Sequence, residues 1–119
     1  MSQRVFPQLR MTNWGRTRQF YVNGLGFAVD WEHRFEPGFP VFAQLTREGL
    51  SLFLTEHAGD CQTRGAAYFV VDDVDALYRE CCDRGIQPVQ PPAETPWRRR
   101  EMTIVDPDGN KLRFANPRE

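Results

Sequence analysis

The chain has 119 residues, 40% of them hydrophobic and 13% aromatic, with a net charge of −1 and a pI near 6.1. That composition argues against disorder and suits a single domain with one shared core; it also lacks the basic bias of a nucleic-acid binder. No apolar stretch approaches the ~18 residues of a membrane span, and "MSQRVFPQ" lacks the apolar core of a signal peptide, so a cytoplasmic location is expected.

In chain order, "FPQLRM" reads as a short strand. "TNWGRTRQFYVNGLGF" follows as a helix that Asn13 can cap, with Trp14, Thr17, Phe20 and Tyr21 on one face and Gly24 and Gly26 as its stop. Three strand patterns come next: "GFAVDWEH", "VFAQLT" and "LSLFLT". In the first, Phe27, Val29 and Trp31 alternate with Ala28, Asp30 and Glu32. The simplest assignment buries the apolar set under the helix and turns Asp30 and Glu32 the other way, and the opposite parity stays open. In "LSLFLT" alternation sends Leu50, Leu52 and Leu54 to the helices and Ser51, Phe53 and Thr55 to the opposite face.

"HAGDCQTRG" reads as a linker, followed by a strand in "AAYFVV". In "VDDVDALYRECCDRGI", Asp72 or Asp73 caps a helix that turns Val74, Leu77, Tyr78 and Cys81 inward and ends at Gly85. The three cysteines, Cys61, Cys81 and Cys82, are odd in number with two adjacent, which suits a reducing compartment better than a disulfide framework. "IQPVQ" is a weak strand, and "QPPAETPWRRR" reads as a proline-rich loop of the kind that covers a site, its three arginines solvated. "EMTIV" and "KLRFA" close the chain as strands around the turn "DPDGN". Both halves therefore run strand–helix–strand–strand–strand, offset by about 60 residues. The expected organisation is one α+β domain of two modules, residues 1–58 and 65–119.

The segments "RQFYVNGLGF", "YFVVDDVDALYRECCDRGI" and "VDPDGNKLRF", in this order over nearly the whole chain, resemble the vicinal oxygen chelate superfamily of glyoxalase I, extradiol dioxygenases and bleomycin resistance proteins. The resemblance implies two βαβββ modules whose sheets curl around a groove with helices outside. It also implies a homodimer, with the groove formed between subunits in the bleomycin resistance group. In metal-dependent members four positions on the first and last strands of the modules carry the ligands. Carried over motif by motif, they fall on Phe6, Phe53, Ala66 and Arg113. Phe6 and Ala66 are 60 residues apart, as are Phe53 and Arg113, so the repeat supports the assignment. Phenylalanine and alanine offer no donor atom and a guanidinium has the wrong charge, so no metal and no other cofactor is expected.

Other residues compete for a role. His33 and His57, near Glu32, Glu56, Asp60 and Cys61, would supply metal ligands only if their strand ends met. Glu101 and Thr103 share a strand face, which aims Glu101 at the groove near Arg113, to pair with it, contact a ligand or act as a base. The ligand-binding set read from this chain is Phe6, Gln8, Asp30, Glu32, Phe53, Thr55, Tyr68, Trp97, Glu101 and Arg113. Aromatic plates with a few placed charges describe a small-molecule site. The expected function is metal-free sequestration of an aromatic antibiotic or metabolite by a homodimer, with no nucleic-acid or membrane partner. The alternative is a lyase- or isomerase-type enzyme of the same superfamily working through Glu101 or a metal at unusual positions.

Overall fold

Two helix caps organise the chain. Asn13 accepts from the Arg16 backbone N–H at 2.9 Å and starts α1 (Trp14–Arg18). Asp73 accepts from the Ala76 N–H at 3.1 Å and starts α2 (Val74–Asp83). Each side chain satisfies a backbone donor that the first helical turn leaves free. The computed structural model describes residues 3–119. Its strands are β1 (Gln8–Arg10), β2 (Ala28–His33), β3 (Phe42–Arg47), β4 (Leu50–Thr55), β5 (Ala66–Val70), β6 (Gln90–Glu94), β7 (Arg100–Val105) and β8 (Lys111–Ala115).

They form two four-stranded mixed sheets, ordered β1-β4-β3-β2 and β5-β8-β7-β6. In each, the strand before the helix pairs in parallel with the last strand, and the remaining pairs are antiparallel. The registers repeat as well: Phe53 faces Gln8, and Arg113 faces Tyr68. Both sheets put one face against the helices, around a single core. Leu45, Leu52 and Leu54 come from the first sheet and Met102, Ile104 and Leu112 from the second, all buried with Tyr21, Val74 and Cys81. Among the described residues no helix is long and apolar enough to cross a membrane.

The turn "DPDGN" locks the halves together. Asp106, buried, accepts from the Tyr21 hydroxyl at 2.6 Å and from the Asn110 amide at 2.9 Å, while Asn110 also donates to the Arg10 carbonyl at 2.8 Å. Asp108 bonds Thr12 and Arg16 from the same turn. Gly24 contributes by absence, since a Cβ there would stand 2.5 Å from the Ile86 side chain.

Four local expectations are corrected. The first helix reaches Gly24 as expected, but from Gln19 to Gly24 it is π-helical rather than α-helical, and this stretch carries Tyr21 inward to Asp106. Half of the proline-rich segment is strand: β6 includes Pro91 and Pro92, which an edge strand tolerates at a register shift between Gln90 and Ala93. Arg100 is not a free solvated arginine: though partly exposed, it holds Asp75 of α2 by two bonds of 2.8 and 3.0 Å. In β2, a bulge at Asp30 reverses the parity. Phe27 is buried as expected, but Trp31 emerges on the face away from the helices, and Glu32 lies on the helix side, accepting from Trp14 Nε1 at 3.2 Å. One extra residue in a strand exchanges the faces of every residue after it.

Candidate functional site

Among the described residues no helix covers the second face of either sheet, and large side chains stay open there: Trp31 is 43% and Tyr68 44% exposed. On the first sheet this face is aromatic. Trp31 stacks on Phe42 at 5.8 Å between ring centres, Phe42 meets Phe53 at 5.0 Å, and Phe53 meets Phe6 edge-on at 5.4 Å. Beyond them Phe35 stands edge-on to His33 at 4.7 Å and His57 at 6.1 Å. Trp31, Phe35, Phe42, His33, His57 and Asp60 border a depression of about 360 Å³. The histidines flank a phenylalanine ring, and among the described residues no three His, Cys, Asp or Glu side chains stand close enough to share a metal ion.

The polar candidates on this sheet are already engaged. Asp30 accepts from Gln44 Nε2 at 2.9 Å and from the Thr46 hydroxyl. Thr55 is buried, donating to Asp60 at 2.7 Å and accepting from the His57 N–H at 3.0 Å. Gln8 is exposed beside Phe53.

On the second sheet the open face is polar. Glu101, only 7% exposed, accepts from the Tyr68 hydroxyl and, at 2.6 Å, from Trp97 Nε1. The Arg99 guanidinium lies over the Tyr68 ring at 5.9 Å. Desolvation, and then the hydrogen bond to Glu101, raise the Tyr68 hydroxyl above the ordinary tyrosine value, so it stays a donor. Sequence alternation does aim Glu101 at this face. Its partners are Tyr68 and Trp97 rather than Arg113, because the β7–β8 register sets Arg113 beside Thr103 and Glu101 beside Ala115. Arg113 lies with Ala66, Tyr68, Arg64 and Lys111 along a depression of about 580 Å³.

The four carried-over positions are therefore brought together as two pairs. Phe6 touches Phe53, and Ala66 shares a depression with Arg113, while Phe6 borders a different one in the seam between the sheets. Adding their register neighbours Gln8 and Tyr68 supplies no carboxylate, imidazole or thiolate. The donor set does not fit a divalent cation. Sequence reading missed Phe42, Phe35, Arg64 and Lys111. For Phe42 the signal was present, since Val41, Ala43 and Leu45 are the buried set of that strand.

Comparison with known proteins agrees with this architecture. A bleomycin resistance determinant encoded on the transposon Tn5 superposes with a TM-score of 0.80 at 27% identity, covering 97% of this chain and 98% of that one. A bleomycin-binding protein complexed with bleomycin gives 0.79 at 27%, covering 98% and 99%. TnmS3, an antibiotic binding protein from Streptomyces sp. CB03234, gives 0.79 at 25%, covering 98% and 97%. The model of the family described as glyoxalase superfamily protein matches residues 1–119, and the duplicated sheet plan and repeated register are those of one fold over that whole length. The chain belongs to the glyoxalase superfamily.

Proposed function

We propose that the protein binds an aromatic small molecule, an antibiotic or metabolite, and acts by holding it, without a metal and as a homodimer. The observation that carries this is the contiguous patch of Trp31, Phe42, Phe53 and Phe6, in ring contact on the sheet, with Trp31 exposed and the other three half-buried. Exposed aromatic plates offer stacking energy of about 0.5–1.5 kcal/mol per ring pair beyond burial, and a soluble chain gains nothing from leaving them wet. The bleomycin-bound and antibiotic-binding neighbours support the same class of ligand. Sequestration needs no nucleophile, base or metal, and the lost donor positions fit that need.

Dimerisation completes the reading. The molecule measures 47 × 38 × 23 Å, a thin slab with helices on one side and two uncovered sheet faces on the other. Facing a second copy would turn those open faces into the walls of a groove. Light scattering should give about twice the 13.9 kDa chain mass, and a monomer at micromolar concentration would contradict the shared groove. Elemental analysis of untagged protein should find far less than one transition metal per chain. The decisive experiment is titration with planar heteroaromatic compounds, followed by tryptophan quenching and melting temperature, since a ligand selective for the fold stabilises it. Absence of both signals at high micromolar ligand would remove the binding reading.

A further inference from the structure

Charge on the open faces is balanced for one sign only. The carboxylates of Asp30, Asp60 and Glu101 each accept hydrogen bonds from neighbouring side chains. By contrast, Arg64, Lys111 and Arg113 form no ion pair and no side-chain hydrogen bond among the described residues. All three border the same depression of about 580 Å³. Arg113 is half-buried there, so part of its hydration is lost with no acceptor in return.

The surroundings look built to present these cations. Arg64 holds a left-handed backbone, φ 63°, which a non-glycine residue adopts only at a cost in strain. Gly109, itself at φ 80°, leaves room for it, since a Cβ there would lie 3.0 Å from the Arg64 Cγ. Ala66, the repeat counterpart of Phe6, keeps the floor low where the first sheet is filled by a ring. The half-exposed Tyr68 ring lies along the same depression and supplies an aromatic surface beside the charge.

We propose that this depression seats the oxyanion of the ligand, so the molecule held by the protein is an aromatic acid, not an aromatic cation. The ring part rests on the binding function argued above; the charge part rests on Arg64, Lys111 and Arg113 alone. A guanidinium fork matches a carboxylate through two parallel hydrogen bonds, and cations around a concave surface reinforce one another's field. A cationic tail would meet like charge at the same place. The overall net charge of −1 gives no hint of this, because the sign that matters is local.

Three matched probes test it: naphthalene-2-carboxylate, its neutral carboxamide, and 2-naphthylmethylammonium, titrated calorimetrically into wild type and Arg113→Gln at low and high salt. The carboxylate should bind wild type about tenfold or more tighter than the amide, lose that advantage in high salt, and lose it in Arg113→Gln, where amide affinity stays within about twofold. Equal affinity of acid and amide, or tighter binding of the ammonium, overturns the oxyanion seat while leaving the aromatic site standing. If none of the three binds, the aromatic site falls, and inorganic sulfate decides the seat separately. At matched ionic strength, sulfate over chloride should raise the melting temperature of wild type more than that of Arg113→Gln. An equal rise overturns it. Should Arg113→Gln fail to fold, Arg64→Gln and Lys111→Gln, both at exposed positions, carry the same measurements with the same outcomes.

Discussion

The two sheets share strand order and register but present different chemistry on their open faces. The first shows rings in contact, Trp31, Phe42, Phe53 and Phe6, with its carboxylates tied down by neighbours. The second shows cations around Ala66 and a carboxylate held between Tyr68 and Trp97. A duplicated fold has thus kept its buried face under one rule and let the open faces diverge. The helix-facing residues must fill one common core, so their apolar character is constrained in both halves. The open faces carry no such constraint and can specialise, one for stacking and one for charge.

The comparison breaks most sharply at Trp31. Trp31→Ala should weaken binding of a neutral aromatic such as naphthalene-2-carboxamide by roughly 2–4 kcal/mol, the range of an aromatic anchor. Tyr68→Ala should change it far less, and similar losses from both in calorimetric titration would show that the faces do not differ in this way.

A second measurement asks whether the two faces are held in one rigid arrangement. Tyr21 joins the first half to the Asp106 turn of the second. Tyr21→Phe should cost about 1.5–3 kcal/mol of stability in urea unfolding, since a buried carboxylate loses a donor. Burial first, and then Asp106, raise the Tyr21 hydroxyl well above the ordinary tyrosine value, which favours its neutral form in the fold. That contribution is fully present below the unfolded tyrosine value of about 10 and is lost as pH rises through the higher folded value. The gap between wild type and Tyr21→Phe should therefore shrink in strong alkali. A constant gap would mean that the hydroxyl is not what stabilises the lock.

A smaller effect sharpens the polar side. Tyr68→Phe takes one donor from Glu101 and should lower stability by roughly 1 kcal/mol, with Trp97 left as the remaining partner. No change in the denaturation midpoint would place Glu101 in contact with water instead. The smallest effect is expected at Arg100. Its pair with Asp75 is about a third exposed on both sides, and solvent screening keeps the stability lost in Arg100→Ala below that lost in Tyr68→Phe. The hydrogen bond from Arg100 holds the Asp75 carboxyl below its usual value. The contribution is present above an unfolded value of about 3.9 and is lost as pH falls through the lower folded one. Melting curves of wild type and Arg100→Ala should converge as the pH drops below about 4.

Much of the fold was legible in the chain because it depends on short-range periodicity. Alternation in "LSLFLT" put Leu52 and Leu54 in the core, Asn13 and Asp73 marked the helix starts, and a 60-residue repeat matched the two registers. Each of these is set by residues within a few positions of one another, or by one segment copying another. The candidate site depended on facts of another kind. The bulge at Asp30 moved Trp31 to the open face and Glu32 to the helix side, and nothing in "FAVDWEH" marks where β2 slips against β3. Glu101 found Tyr68, 33 positions away, and a tryptophan on its own hairpin loop, because strand register and loop path decided which donors reached it. Arg64, read as linker, came to stand beside Lys111 and Arg113 only because Gly65 and β5 run along β8. Sequence by itself determined the helix-facing core wherever the strands run without a bulge, and how the halves repeat, since burial there follows local pattern. Tertiary structure alone decided which charges are paired, because a partner is chosen by position in space and not by distance along the chain.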